Sequence, residues 1–399
     1  MTTADSVPHS TPTLSTPLIL LLATACGVIA ANVYYAQPLV EPIAQSLGMS
    51  RESSGLIVTL TQIGYCLGLL LVVPLADRIE NRTLVLSTMA LGIAGLLASA
   101  VAPTALLFVA AAFFTGLGSV AVQILVPYAS HLAPAATRGR VVGNVMSGLT
   151  LGIMLARPVA SFVTELSSWH AVFFLSAGIM TVLAAVLAVA LPRRQPETTP
   201  SYGELLRSMV RLMVTEEVLR RRALYQAALF AVFALFWTTA PLLLLGPVFH
   251  LSHGGVALFA LAGVAGAIAS PFAGRMADRG WSRTGTMLAM IATTAAMIAT
   301  LWAQDGSALA LAILVAAAVI IDFAVMANLV FGQRVLFLLN AALRSRINGI
   351  YMVTFFAGGA VGSAIGPWAY AGAGWVGVVW IGATLPMAAL VYVWTANKP

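Results

Sequence analysis

VPLADRIENR (Val73–Arg82) and GRMADRGWSR (Gly274–Arg283) each carry an Asp-Arg pair with a second arginine close behind it, and they lie about half a chain length apart. Each follows an apolar run long enough to cross a bilayer, which takes about 20 residues. A second echo links RGRVVGN (Arg138–Asn144) to RSRINGI (Arg344–Ile350); both precede the fifth apolar run of their half. Repetition of this kind implies two equivalent halves related by an axis along the membrane normal.

The composition agrees. Of 399 residues, 60% are apolar and only 8% are Asp, Glu, Lys or Arg, against about 25% in soluble domains. Mean hydropathy is +0.96. So few charges cannot cover a water-exposed surface, which excludes a soluble fold, a disordered chain and a nucleic-acid binder. Reading for spanning runs gives twelve: 17–38, 53–76, 83–101, 105–130, 141–164, 170–191, 223–247, 254–274, 284–303, 307–332, 347–370 and 373–396. The expected architecture is an all-α polytopic membrane protein of two pseudo-symmetric six-helix bundles, 17–191 and 223–396. A tail at 1–16, expected to be disordered, and a charged connection at 192–222 complete it. The tail lacks the basic start of a secretory signal, so the first helix is expected to stay uncleaved. In the connection, Met209, Leu212 and Met213 can form the apolar side of a helix lying on the membrane surface; a plain linker is the competing reading. The 34 glycines suit close helix contact.

Orientation follows from the cations. Apart from Arg51 and Arg157, every Lys and Arg falls on one face of the twelve-span reading, the side that the positive-inside rule makes cytoplasmic. Both termini are then expected on the cytoplasmic side of a bacterial inner membrane. Cys26 and Cys66 lie in apolar runs, and the five histidines are scattered without metal-ligand spacing, so neither a metal site nor a cofactor is expected. An enzyme in the membrane would need clustered nucleophiles, acids or ligands in the spans. A sensor would usually need a sizeable soluble domain.

On Pro74, Leu75, Ala76, Asp77, Arg78 and Arg82, the first loop resembles the signature loop G-x-L-A-D-R-x-G-R-K of the major facilitator superfamily. Val73, Glu80 and Asn81 depart from it; Gly274, Asp278, Arg279 and Arg283 keep it in the second copy. NVYYAQP (Asn32–Pro38), LARP (Leu155–Pro158) and RSRIN (Arg344–Asn348) are similar to a bacterial branch near the drug:proton antiporters. The fifth-span motif of that branch is half matched: Gly148 and Gly152 stand, while Ile153, Ala156 and Arg157 replace its proline and glycines, and its fourth-span arginine aligns with Ala112. The resemblance implies a monomeric carrier of a small molecule, driven by the proton gradient, whose halves rock about a site near the midplane.

Charges and polar groups inside apolar helices are functional candidates, because lipid offers them no partner. Two charges lie well inside spans, Arg157 and Asp322. At about 1.5 Å per residue, Asp322 lies roughly 22 Å and Arg157 about 10 Å from the outer ends of their spans. That difference disfavours a direct ion pair and implies separate roles. An apolar setting favours the protonated form of a carboxylate, so Asp322 is the candidate for proton coupling, against a carboxylate that is permanently bonded. Arg157 stays charged and can contact an anionic substrate, lock the halves or reach the interface. Asn32 with Tyr35, and Gln62 with Tyr65, share helix faces by their spacing and can wall the outward half of a cavity; interhelical bonding is the alternative. Phe233, Phe236 and Trp237 offer aromatic surface to a hydrophobic substrate, or form a lipid-facing or packing stripe. Gln123, Met326, Tyr351 and Phe355 complete the candidate substrate site.

The two loops imply a conformational latch. Asp77, at the inner end of span two, can meet a helix N-terminus, where a carboxylate is favoured; the family resemblance implies that this partner is the start of span eleven, near Arg346 and Ile347. Arg78, Arg82, Asp278 and Arg279 belong to the same devices. A topogenic charge cluster is the competing reading. The function these features imply is proton-coupled export of a small organic or amphipathic compound; an importer of organic anions read by Arg157 is the alternative.

Overall fold

The computed structural model describes residues 15–134, 137–196, 201–336, 338–339 and 343–395, without the side chains of 138, 139, 265, 267, 268, 344 and 345. The expected tail therefore lies outside the described residues up to position 14. Every regular element among them is helical.

In the first half α1 (Thr16–Ala31) carries Pro17 in its first turn, which its fixed φ suits. Through a turn and a 3-10 segment it leads into α2 (Val40–Ser46). Next comes α3 (Leu56–Leu67), which continues through a π turn at Gly68–Val72 and a 3-10 turn at Val73–Asp77. Pro74 accounts for the irregular end, since it removes an amide donor and clashes one turn back. Then follow α4 (Asn81–Ala100), α5 (Ala105–Gly118), α6 (Ala121–Leu132), α7 (Arg138–Leu166) and α8 (Trp169–Ala190). The connection carries α9 (Tyr202–Thr215). The second half holds α10 (Glu217–Leu245) and α11 (His253–Ala260), a 3-10 turn at Leu261–Val264, then α12 (Ala265–Asp278) and α13 (Ser282–Ala299). It ends with α14 (Ala308–Leu336) and α15 (Arg344–Trp394).

Ten helical stretches among the described residues are long and apolar enough to cross a membrane. Nine match one expected run each. The first run holds the shorter α1, and the last two share α15. At Ala373–Gly374 the α15 backbone leaves helical geometry, with Gly374 at φ 61°, a conformation that favours glycine. Both ends of α15 lie at the start of α10: Ile347 and Ile350 cluster with Leu219, and Arg221 donates to Tyr392 O. The chain therefore reverses at Gly374, and α15 is a hairpin of two spans.

The halves repeat each other in packing. In the first, α1 lies along α7, α3 and α4 along α5, and α4 along α8. In the second, α10 lies along the first arm of α15, and α12 and α13 along α14, while α13 also meets α15. Close backbone approach recurs at the equivalent contacts: Gly27 against Gly148 and Gly152, and Gly358 and Gly362 against Ala227 and Ala231. The halves meet along two seams, α7 with α11 and α3 with α15.

Helix α9 is a helix rather than a plain linker, closed by a capping box between Ser201 and Glu204. On its apolar side Leu205 is buried, and Met209 and Leu212, with Met213 beside them, pack against Leu219, Ile347, Ile350 and Tyr351. The surface-lying reading is corrected accordingly: this side packs on protein and not on lipid. A protein groove at the ends of α10 and α15 covers it more completely than a bilayer surface can.

Candidate functional site

Arg157 on α7 and Asp322 on α14 are both buried, at 2% and 3% exposure. The guanidinium Nη2 lies 3.6 Å from Asp322 Oδ1. The charges pair across the seam, which corrects the expectation of separate depths. Helix α7 runs on to Leu166, which puts Arg157 about 13 Å from its end, and Asp322 lies about 21 Å from Ala308. Arginine's long stem spans what is left of the difference.

Trp237 of α10 completes the group. Its Nε1 donates to Asp322 Oδ2 at 2.6 Å. The Arg157 guanidinium stands 4.0 Å from the Trp237 ring, 4.9 Å from Phe233 and 5.9 Å from Tyr34. Cation–π attraction at a desolvated site reaches about 2 kcal/mol. Gly263, in the 3-10 turn of span eight, allows the approach: a β-carbon there would stand 2.8 Å from Arg157 Nη1 and 3.3 Å from Asp322 Oδ1. Arg157 Nε, and Ser161 Oγ one turn on, are buried without a partner among the described residues.

The rest of the seams is closed on the same side. Glu165 Oε2 accepts from the amide of Gly254 in the first turn of α11, at 2.9 Å. Thr59 and Ser363 share a hydrogen bond of 2.9 Å between α3 and α15. By the second echo Ser363 is the counterpart of Arg157, so both positions bridge the halves, one with a hydroxyl and one with a charge. At the arginine-rich face the halves instead enclose a cavity of about 520 Å³. Asp77, Asn81 and Gln123 line it from one half, Arg346, Asn348 and Met352 from the other.

The remaining candidates fall into three places. Asn32 Oδ1 accepts from Ser176 at 2.6 Å, and the Tyr35 hydroxyl also meets Ser176. Both lie past the end of α1, in the turn before the 3-10 segment, so they do not share a helix face, and their meeting on one hydroxyl is the interhelical-bonding alternative. Gln123 Nε2 donates to Tyr65 at 3.1 Å, Tyr65 packs on Phe356 at 4.3 Å, and Gln62 is buried beside Gly359 with its Oε1 unpartnered. Phe233 and Phe236 are buried, as is Trp237, so the lipid-facing alternative fails. Phe355 stacks on Phe230 at 3.8 Å, and Phe230 on Phe233 at 5.0 Å. Met326 borders Gly266, and Tyr351 is buried beside Gly332 with its hydroxyl unpartnered.

Of the latch residues, Asp77 and Arg346 line one cavity without an ion pair between them. Arg78 is exposed, and Arg82 Nη1 donates to Leu191 O at 3.3 Å. Asp278 pairs with Arg334 of its own half at 3.2 Å, and Arg279 stands over Trp281 at 5.9 Å. The motif departures have partners too. Glu80 caps α4 by accepting from the amides of Arg82 and Thr83, and Asn81 Oδ1 accepts from Arg194 at 2.9 Å. Partial burial raises the Glu80 pKa, but hydrogen bonds from Thr83, Arg82 and Arg194 outweigh it and hold the carboxyl below its ordinary value. The residues that sequence reasoning missed are Tyr34, Gly263, Glu165 with Gly254, and Thr59. Only Tyr34 carried a signal, since it stands inside the NVYYAQP stretch.

Paired helical bundles in a membrane, with a cavity between them and a buried ion pair across their seam, define a polytopic membrane transporter. The profile of the Major Facilitator Superfamily matches residues 20–337, and the chain belongs to that superfamily. It is 39% identical to the uncharacterized transporter YgaY of Escherichia coli O157:H7 over 381 residues, covering 96% of each chain. The fold is shared with the nucleoside transporter NupG, at TM-score 0.78 and 15% identity over 96% of this chain and 100% of that one. It is shared too with a D-xylose-proton symporter, at TM-score 0.75 and 16% identity over 96% and 97%.

Proposed function

We propose that this chain is a proton-coupled secondary transporter, exporting a small organic or amphipathic compound by alternating access. It works as a monomer in a bacterial inner membrane, with both termini and the arginine-rich face in the cytoplasm. The observation that carries this reading is the buried Arg157–Asp322 pair at the closed seam, above a cavity that faces the arginines. Protonation of Asp322 would leave Arg157 as a buried cation without a counter-charge, which costs several kcal/mol. Opening the seam to water relieves that cost. Proton binding thereby favours the state open away from the arginines, and proton release favours the state seen here. A proton symporter with the same fold supports the choice of coupling ion. The anion-import alternative loses its free cation, because Arg157 is held by Asp322 and Trp237.

The test is wild-type protein in proteoliposomes holding a pH dye, challenged with a panel of compounds. A transported compound is expected to drive protons in the opposite direction. Movement in the same direction overturns the export reading, and transport without proton movement overturns the coupling.

Asp77 and Arg346, apart across the cavity, are the open latch in this reading and close in the other state. Asp77→Asn is expected to slow transport about fivefold or more, from roughly 1 kcal/mol of lost helix-terminus attraction, with normal membrane insertion. Wild-type transport kinetics in this variant would remove the latch.

A further inference from the structure

Helices α12 and α13 both pack along α14 but scarcely touch each other, and the trough between them is a groove of about 620 Å³. Small side chains keep it open: Ala289 and Ala292 on α13, Ala324 and Ala327 on α14. Its walls are apolar, with Phe272 and Leu288 half exposed. Along α14 it runs from Val319 to Phe331, about 18 Å at 1.5 Å per residue. That is close to one leaflet, half of the roughly 30 Å hydrocarbon core. One end is different. Arg275, Arg279 and Trp281 form it, at the face where the arginines collect. Asp278, the acid beside Arg279 in sequence, is taken by Arg334.

We propose that this groove binds an anionic phospholipid from that leaflet, with an acyl chain along α14 and the charged headgroup between Arg275 and Arg279. The occupant follows from charge and depth. An apolar trough of one leaflet's length suits a chain, and two cations at its mouth suit a headgroup of net negative charge. Trp281 lines the same end, and its indole is the ring type that settles at a membrane interface. The floor of the groove and the ion pair belong to the same turn of α14, because Phe323 lines the groove and Asp322 faces Arg157.

The full-length protein in detergent, given phosphatidylglycerol or phosphatidylcholine, is read by native mass spectrometry. Phosphatidylglycerol is expected to be retained at least tenfold more than phosphatidylcholine. Arg275→Gln and Arg279→Gln are each expected to lower its retention roughly fivefold, leaving phosphatidylcholine unchanged. Ala292→Leu, which fills the trough, should lower both lipids. Thermal unfolding verifies that each variant is folded, and the single changes Arg275→Gln and Arg279→Gln, both at exposed positions, carry the test if Ala292→Leu is not. Equal retention of the two lipids overturns the proposal. So does phosphatidylglycerol retention that the arginine variants leave intact, or that Ala292→Leu leaves intact.

Discussion

Asp322→Asn is expected to yield a folded carrier that exchanges substrate but no longer accumulates it against a gradient. The amide keeps the shape of the carboxylate and can still accept from Trp237 Nε1, now 2.6 Å from Oδ2. What it loses is the charge and the proton site. Position 322 is then fixed in the neutral condition that protonation reaches only transiently, with Arg157 permanently without its counter-charge. The closed seam is weakened by the cost of a buried unpaired cation, so the variant should favour the state open on the Glu165 side. Two measurements separate the effects. Pyranine-loaded proteoliposomes should show proton flux below a tenth of wild type, while counterflow of labelled substrate persists. A cysteine at Gly254, beside Glu165, should label faster in the variant than in the parent chain. Proton flux and uphill accumulation at wild-type levels would falsify the assignment of coupling to Asp322.

Much of the fold was legible because lipid imposes strong rules. Apolar length marks each span and arginine marks one face, so the boundaries of nine runs and the repeated loops could be read directly. The reversal at Ala373–Gly374 falls just inside the last run, within two residues of the gap at 371–372. The site was legible in its members and not in its wiring. Arg157 and Asp322 stand out as charges in apolar sequence, yet their pairing depends on things that no linear pattern records. These are where α7 ends, how far an arginine stem reaches, and the bare backbone of Gly263 between them. The aromatics of α10 show the same limit. A membrane helix that is apolar all round gives no amphipathic signal, so Phe233 and Trp237 could not be placed on a protein-facing side by spacing. Glu80 and Asn81 read as departures from a motif, because their partner, Arg194, lies more than a hundred positions away.

Arg157→Ala should be the more damaging change to the folded state, and its rescue is the sharper test of the pair. Removing the guanidinium strands a carboxylate that is 3% exposed, leaving Trp237 as its hydrogen-bond donor. Breaking a buried pair from one side costs about 3–5 kcal/mol, and the lost contact with the Trp237 ring adds up to about 2 kcal/mol. Protonation of the stranded Asp322 limits the loss, so the cost should shrink as pH falls. Adding Asp322→Asn to Arg157→Ala removes the stranded charge. The double variant should therefore be more stable than Arg157→Ala alone, with a coupling energy of roughly 1–3 kcal/mol in the double-mutant cycle. Thermal or denaturant unfolding in detergent at fixed pH measures it. Simple additivity of the two single changes would mean that Arg157 and Asp322 do not depend on each other, and the pair would then be proximity without energetic consequence.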